Sequence, residues 1–305
     1  MSRSPRRRFR FSFEVVVPAC PAATAVWVPW PIEDGCQSLL SSALPPGLAA
    51  VRGHDRQADN RSVCFEVPAS PQKRAFEVTF EVERRGCASA PPSAAGYAAP
   101  PGGNLALAAF LRADRKVPLD GVIGEQASRL GSPLQPPLVL ARRAYDYLLE
   151  TLTYDGRGCT PDRADELGDL PKACSLHLGT CTDFHGLFVG YLRALGVPAR
   201  FTFGFNIPRG RTEGRIGGYH CWAAVADPAG DWFPVDVSEA RKRPELTDFY
   251  FGSLDPDRIA FTHDRDVNLE PLQKTGPLDK FIFPHAESGA QAVTLELGFR
   301  FEESS

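Results

Sequence analysis

The stretch GTCTDFHGLFVGYLRALGVPAR, residues 179–200, carries the strongest helix signal in the chain. Apolar side chains recur at intervals of three and four residues, which predicts one continuous apolar face. They are Phe184, Leu187, Phe188, Tyr191, Leu192 and Leu195. Thr180 and Asp183 have the spacing of a capping box, and Gly196 followed by Pro198 is a stop signal. Cys181 therefore falls in the first turn of the predicted helix.

A cysteine in this position is a candidate nucleophile, a candidate metal ligand or simply a small buried residue. The positive end of the helix dipole and the free N–H groups favour a thiolate, so the position predicts a lowered pKa for Cys181. The same N–H groups could face a developing oxyanion. Alternatively, Cys174, His177, Cys181 and His185 are zinc-ligand types at plausible spacings. His185 lies beside the apolar stripe. We therefore interpret it as a residue that supports the catalytic residues from behind or lies at the edge of the core, and we expect no bound metal.

A thiol nucleophile needs a base, and the base needs an orienting group. Residues 219–227 (YHCWAAVAD) and 232–240 (WFPVDVSEA) have the pattern of two strands joined by a turn at 228–231. Pairing in such a hairpin brings Asp236 beside His220, at a cross-strand separation of about 5 Å. We therefore predict Cys181, His220 and Asp236 as the catalytic residues.

Neighbouring residues on this hairpin are candidates for the walls of a substrate cleft. Trp222 follows His220 by two positions, so strand alternation places both on one face. We predict Trp222 and Tyr219 as cleft residues, although a plain core role for Trp222 is equally open. Asp183 is interpreted as a helix-cap carboxylate rather than a catalytic acid.

The rest of the chain predicts an α+β protein. Alternating or β-branched segments predict strands at 9–17, 24–30, 62–68, 75–84, 199–207, 280–284 and 292–301, with a helical pattern possible near Leu39. Helices are predicted at 104–115, capped by Asn104, and at 136–155. Residues 86–104 are rich in Pro, Gly, Ala and Ser, which is typical of a linker or long loop. We expect an N-terminal antiparallel β-sandwich-like domain with its linker, residues 1–103, followed by a catalytic domain, residues 104–305.

Composition and charge limit the classes of partner and the cellular compartments that this protein fits. The 305 residues carry a net charge of −3, so no footprint for nucleic acid is present. No run of about 18 apolar residues occurs, so no membrane span is expected. The eight cysteines include no CxxC pair, and we interpret most of them as free thiols of a reducing compartment. The start of the chain loosely resembles an export signal, but its alternation and Glu14 favour a strand. We therefore expect a cytoplasmic protein, with a periplasmic or secreted one as the alternative.

Three separated blocks resemble the core of the transglutaminase-like superfamily, which includes bacterial predicted cysteine proteases. They are GTCTDFHGLFVGYLRALGVPARFTFGF, GGYHCWAAV and DWFPVDVSEA, and the close resemblance covers residues 145–240. It implies a papain-like fold in which Cys181 is the nucleophile, His220 the base and Asp236 the orienting group. The family often completes its oxyanion hole with an upstream Trp or Gln side chain, and no Trp lies between Trp30 and Trp222.

The resemblance also implies a function. We expect a thiol enzyme that acts on peptide or glutamine-type amide bonds through a thioester, most simply a cysteine peptidase or amidase. The alternatives are a protein-glutamine gamma-glutamyltransferase that cross-links proteins, and a non-catalytic module that binds a peptide or protein. The expected partner is a peptide or protein substrate, no cofactor is expected, and the oligomeric state stays open.

Overall fold

The computed structural model describes residues 6–55, 58–89, 107–157, 159, 170–227 and 230–304. It has the predicted α+β class, with antiparallel sheets and helices. The strands are β1 Arg6–Val17, β2 Thr24–Pro29, β3 Gln37–Ala43, β4 Ala50–Asp55, β5 Asn60–Val67, β6 Arg74–Arg85, β7 Cys87–Ala88, β8 Thr153–Tyr154, β9 Leu178–Gly179, β10 Ala199–Asn206, β11 Glu213–Arg215, β12 His220–Ala226, β13 Trp232–Val235, β14 Ser253–Leu254, β15 Arg258–His263, β16 His285–Ser288, β17 Gln291–Ala292 and β18 Glu296–Ser304. The helices are α1 Gly121–Leu130, α2 Pro137–Thr151, α3 Leu170–Leu176, α4 Cys181–Ala194 and α5 Val237–Lys242.

Backbone contacts divide the chain into two compact units. The first comprises Met1–Gly86, Phe203–Tyr219 and Asp255–Ser305, and the second comprises Cys87–Thr202 and His220–Leu254. The domain boundary predicted between residues 103 and 104 lies outside the described residues and stays a prediction.

The first unit contains two five-stranded sheets, with strand orders β11-β18-β1-β6-β3 and β17-β16-β2-β5-β4. The pairings that join consecutive strands of each sheet are antiparallel. Phe65 of one sheet and Phe76 of the other lie 5.5 Å apart between ring centroids, as expected of a β-sandwich. The four strands predicted in the N-terminal part are confirmed as β1, β2, β5 and β6.

Two features of this unit differ from the sequence prediction. The residues around Leu39 form β3 and not a helix, because pairing with β6 satisfies their backbone groups. The sheets are also completed from the distant C-terminal part of the chain, since β18 pairs with β1 and β16 pairs with β2. Local pattern cannot show such partners, because strand pairing is decided by burial between segments far apart in sequence.

Strand β1 shows why the first unit folds. Its alternation buries five apolar side chains on one face, at 0–1% exposure, while Arg8 and Arg10 on the other face are exposed. The five are Phe9, Phe11, Phe13, Val15 and Val17. Phe13 contacts the rings of Phe80, Phe261 and Phe299 with centroids 5.1–6.3 Å apart, the range of favourable aromatic packing.

Two other predicted elements are wrong. Residues 280–284 (KFIFP) form no strand, although Phe281 and Ile282 are fully buried, because a short apolar run fits a loop that fills a core as well as it fits a strand. Within the described part of the predicted helix at 104–115, the chain forms a single 3-10 turn at Ala108–Leu111. Its predicted cap, Asn104, lies outside the described residues, as does most of the predicted linker.

The second unit is organised around α4. This helix contacts α1, α2, α3, α5 and β12, and almost all of its residues are buried. A helix enclosed on all sides needs small residues where neighbours approach closely. A Cβ at Gly186 would lie 2.5 Å from the side chain of Leu170, and one at Gly190 would lie 3.1 Å from Ile123. The predicted helix at 136–155 is confirmed as α2, which packs on α4.

The cysteines are only partly as expected. Six are free, but Cys36 and Cys87 are disulfide-bonded. Among the described residues, no helix is both long and apolar enough to cross a membrane.

The aromatic core of the first unit gives a stability prediction. Phe13→Ala should lower the free energy of unfolding by about 3–5 kcal/mol, because it leaves a cavity among several rings. Val16→Ala, at a half-buried position on the other face of β1, should lower it by only about 1 kcal/mol. Urea unfolding of both variants checks the difference, and equal losses would contradict the assignment of Phe13 to the core.

Candidate active site

The structure brings two of the predicted catalytic side chains into direct contact. The Nε2 atom of His220 lies 2.8 Å from Oδ2 of Asp236, and both side chains are buried. Strands β12 and β13 pair as the predicted hairpin, with Ala223 opposite Val235. Because the carboxylate can only accept, Nε2 carries the proton in this hydrogen bond, and Nδ1 of His220 is left to act as a base.

Asp236 is held by the backbone that follows it. Its Oδ1 atom accepts hydrogen bonds from the N–H of Glu239 at 2.9 Å and from the hydroxyl of Ser238 at 3.1 Å. Asp236 is thus the N-cap of α5, where the sequence analysis expected a strand to continue to residue 240. The spacing of Asp236 and Glu239 is that of a capping box, so the sequence contained a signal for this helix start.

The candidate nucleophile lies where the sequence predicted it. Cys181 is the first residue of α4, and Thr180 is the N-cap. The carboxylate of Asp183 accepts from the backbone N–H of Thr180 at 2.7 Å and from its hydroxyl at 2.9 Å. Asp183 is therefore a helix-cap carboxylate, as its spacing indicates.

The thiol of Cys181 has an unexpected neighbour. Its sulphur lies 3.2 Å from the sulphur of Cys159, and both side chains are buried. Cys221 also interacts with the Cys181 thiol, and among the described residues no hydrogen bond joins this thiol to His220. Nothing in the sequence around Cys159 singled it out, because no periodicity or motif links it to residue 181.

Burial dominates the electrostatics of this thiol. Removal from water raises the pKa of Cys181 well above its usual range, while the donor Cys159 and the charge of Lys242 act in the opposite direction. The prediction of a lowered pKa from the helix N-terminus is therefore wrong for this conformation. The dipole effect is worth about 1 kcal/mol, whereas placing a charge in a dry interior costs several.

A buried ion pair lies beside the histidine. Lys242 and Arg243 both contact the carboxylate of Glu239, which is itself 7% exposed. Burial alone would raise the pKa of Glu239, but the charges of His220 and Lys242 hold it below its usual range. The same pairing raises the pKa of Lys242 despite its burial. The site therefore holds fixed charges of both signs near the thiol and the imidazole.

His185 occupies the space between the elements that carry the candidate catalytic residues. Its Nδ1 atom lies 2.8 Å from the carbonyl oxygen of Cys181, and its Nε2 atom accepts from the N–H of Val237 at 3.1 Å. Oδ1 of Asp236 lies 3.5 Å from the same Nε2. Because backbone groups engage both ring nitrogens, His185 offers no free lone pair to a metal in this conformation.

The other members of the suggested metal cluster lie apart from it. Cys174 contacts the hydroxyl of Tyr191 at 3.8 Å, and His177 is exposed. Among the described residues, no group of three His, Cys, Asp or Glu side chains is arranged to hold a metal ion.

The two predicted cleft residues are both buried. The ring of Trp222 is 3% exposed and lies 6.0 Å from the ring of His220, tilted by 33°. Tyr219 contacts the rings of Phe203 and Phe283 within the first unit. The cleft roles of both residues stay predictions.

These surroundings predict an order of thiol reactivity. Hydrogen bonding with Ser288 and nearby groups lowers the pKa of Cys20, which is partly exposed, whereas Cys181 is buried with a raised pKa. Iodoacetamide at neutral pH should therefore alkylate Cys20 faster than Cys181 in the resting protein. Peptide mapping after short exposure checks this, and preferential labelling of Cys181 would show that its resting thiol is more open than the structure indicates.

The contact between Cys159 and Cys181 predicts a pH shift. The hydrogen bond to Cys181 and burial both raise the pKa of Cys159, so Cys159 keeps its proton and donates it toward Cys181. Cys159→Ala removes that donor, destabilises the Cys181 thiolate and should move the alkylation profile of Cys181 to higher pH. Cys174→Ala removes a thiol outside this contact and should leave the profile in place. An unchanged or lower midpoint in Cys159→Ala would contradict the assigned donor.

Part of this chain matches a known family. A profile of the transglutaminase-like superfamily matches residues 125–237, which include all three predicted catalytic positions. An uncharacterized protein of Haemophilus influenzae is 23% identical over 324 residues, covering 93% of this chain and 86% of that protein.

A solved structure shares the fold. A candidate cysteine protease from Cytophaga hutchinsonii superposes with a TM-score of 0.66 at 12% identity, covering 97% of this chain and 91% of that one. The periplasmic domain of TgpA from Pseudomonas aeruginosa matches with a TM-score of 0.35 at 16% identity over 81% of this chain and 93% of that one, too low to support an argument. The family profile thus covers the positions of Cys181, His220 and Asp236, and residues 125–237 of this chain match the core of the transglutaminase-like superfamily.

Proposed function

We propose that this protein is a thiol enzyme that cleaves peptide or glutamine-type amide bonds, with Cys181 as nucleophile, His220 as base and Asp236 as orienting group. The observation that carries the proposal is the buried hydrogen bond of 2.8 Å between His220 and Asp236, in a unit whose central helix begins at Cys181. A buried carboxylate that fixes an imidazole in one tautomer is the arrangement that thiol and serine hydrolases use.

The reaction follows from the donors and acceptors at the site. Nδ1 of His220 takes the proton of the Cys181 thiol, and Asp236 stabilises the imidazolium that forms. The sulphur attacks the carbonyl carbon of the amide, and the backbone N–H of Cys181 faces the oxyanion. His220 then protonates the leaving amine, and a thioester remains on Cys181. Water, deprotonated by His220, hydrolyses the thioester and restores the thiol.

The raised pKa of Cys181 gives this scheme a particular resting state. A dry thiol remains protonated, so the nucleophile is formed only when its side chain turns from Cys159 toward the imidazole. The proton then passes from the Cys181 thiol to His220 within the site, and no thiolate–imidazolium pair exists beforehand. Such a resting state protects the nucleophile from solvent oxidants and alkylating agents until a substrate is bound.

We prefer hydrolysis to cross-linking because the bacterial proteins that this chain resembles are regarded as cysteine proteases. The Cytophaga hutchinsonii protein of the same fold is named as a cysteine protease candidate, which is consistent with this choice. Transfer to a lysine amine differs only in the nucleophile that attacks the thioester, so the products distinguish the two.

The disulfide-bonded state of Cys36 and of Cys87 bears on the compartment. Disulfides persist mainly in oxidising compartments, so these cysteines favour the periplasmic or secreted alternative over the expected cytoplasmic location. We propose that the enzyme works outside the cytoplasm on an exposed peptide or protein.

The function is tested with a panel of peptide amides and glutamine-containing peptides, monitored for free acid and released amine. Cys181→Ala should abolish turnover of any substrate that the unmodified protein cleaves. Asp236→Asn should lower kcat by about 10²–10⁴-fold, because the imidazole loses its tautomer and its counter-charge. Cys174→Ala is the matched thiol control and should retain full turnover.

Two results would contradict the proposal. Turnover that survives in Cys181→Ala would rule out the nucleophile. Amine incorporation in place of acid release would replace the hydrolase with a transferase.

A further inference from the structure

His185 is a buried titratable residue that the proposed reaction does not use. It lies one turn after Cys181 on α4, and its side chain is 0% exposed. Its two ring nitrogens contact two backbone segments that are 56 residues apart in sequence, the carbonyl of Cys181 and the N–H of Val237.

The contacts fix the protonation state of the ring. A backbone N–H can only donate, so Nε2 of His185 must accept from Val237 and carries no proton. A backbone carbonyl can only accept, so Nδ1 must carry the proton and donate to Cys181. His185 is therefore a neutral imidazole held at both ends, and neither nitrogen is free to exchange a proton with a substrate.

We propose that His185 is a positioning residue that holds the first turn of α4, with Cys181, at a fixed distance from Asp236 and the imidazole that Asp236 orients. The inference rests on the proposed function and adds a residue to it. Val237 directly follows Asp236, so the hydrogen bond that fixes Val237 also fixes the carboxylate of Asp236 relative to the nucleophile's helix.

The surroundings explain why a histidine suits this position. The helix and the hairpin meet in a dry space where each backbone group needs a partner. A rigid ring with a donor on one side and an acceptor on the other gives the N–H of Val237 a partner and adds a hydrogen bond to the carbonyl of Cys181. The titratable groups that face it are Asp236, 3.5 Å from Nε2, and the imidazole of His220, with ring centroids 6.4 Å apart. The sulphur of Cys221 lies 3.7 Å from Nδ1 and adds no charge of its own as a thiol.

If Cys181 and His220 lose their alignment, kcat should change more than KM does. A displacement of about 1 Å between reacting groups can lower a rate by about 10²-fold. His185→Leu removes both hydrogen bonds while it keeps an apolar side chain of similar volume. We expect kcat to fall by about 10²-fold with KM changed less than about threefold. His185→Gln can still accept from Val237 through its amide oxygen and should recover part of the loss.

Three controls separate positioning from a general effect on stability. Leu187→Ala removes a buried side chain from the same helix, away from the hydrogen bonds, and should lower Tm without lowering kcat in the folded protein. Amide hydrogen exchange at Val237 should accelerate in His185→Leu and not in Leu187→Ala. The alkylation rate of Cys181 against pH should contain an inflection that His220→Ala removes, and His185→Leu should remove it as well.

The outcomes are decisive for each claim. Unchanged amide hydrogen exchange at Val237 in folded His185→Leu would show that His185 does not link Val237 to α4. Faster exchange with full kcat and an intact inflection would overturn positioning and leave only a structural role. Turnover retained by Cys181→Ala would instead refute the proposed function, and that result depends on no variant at residue 185.

Discussion

The buried carboxylate of Asp236 sets the conditions for the second unit. An ionised group with 0% exposure is tolerated only if its oxygens are hydrogen-bonded. Its partners include His220 on one oxygen, and the hydroxyl of Ser238 and the N–H of Glu239 on the other. The last two contacts require the chain to turn into α5 directly after Asp236. The need to satisfy one carboxylate thus ends β13, starts a helix and orients the imidazole.

The same dryness that strengthens this hydrogen bond works against the nucleophile. In a low dielectric, the carboxylate and the imidazole interact strongly, but a lone thiolate loses its hydration. The raised pKa of Cys181 and the ordered pair of His220 and Asp236 are therefore two consequences of one environment. In the proposed mechanism, substrate binding and side-chain rotation therefore bring the thiol to its base, and no permanently ionised sulphur is needed.

Much of the fold and of the candidate site could be predicted from the sequence, because both depend partly on local pattern. The period of three and four residues located α4, and alternation located β1, β2, β5 and β6. The spacing of His220 and Asp236 about a turn predicted their contact, since a hairpin is a local structure. What failed depends on distant partners. The pairing of β18 with β1 joins residues almost 300 positions apart, and β3 forms because β6 offers it hydrogen-bonding groups.

The chemistry of the candidate site also divides into features set by local sequence and features set by distant packing. Helix position gives the sign of a dipole effect on Cys181, but burial depends on everything that packs around α4, and burial is the larger effect. Cys159 could not be found because its importance is a contact across 22 residues with no periodic relation.

The four-residue spacing of Cys181 and His185 places both side chains on one helix face, where they could bind the same metal ion. Helical side chains point back toward the N-terminus, over the preceding turn. A histidine ring aimed that way reaches the carbonyl of residue 181 sooner than its sulphur, and Nδ1 of His185 does so at 2.8 Å. The opposite nitrogen then faces outward from the helix axis, toward whichever element packs there, and finds the N–H that follows Asp236. The pattern that suggests a metal cluster in sequence thus becomes, through side-chain direction, a link between two backbone segments.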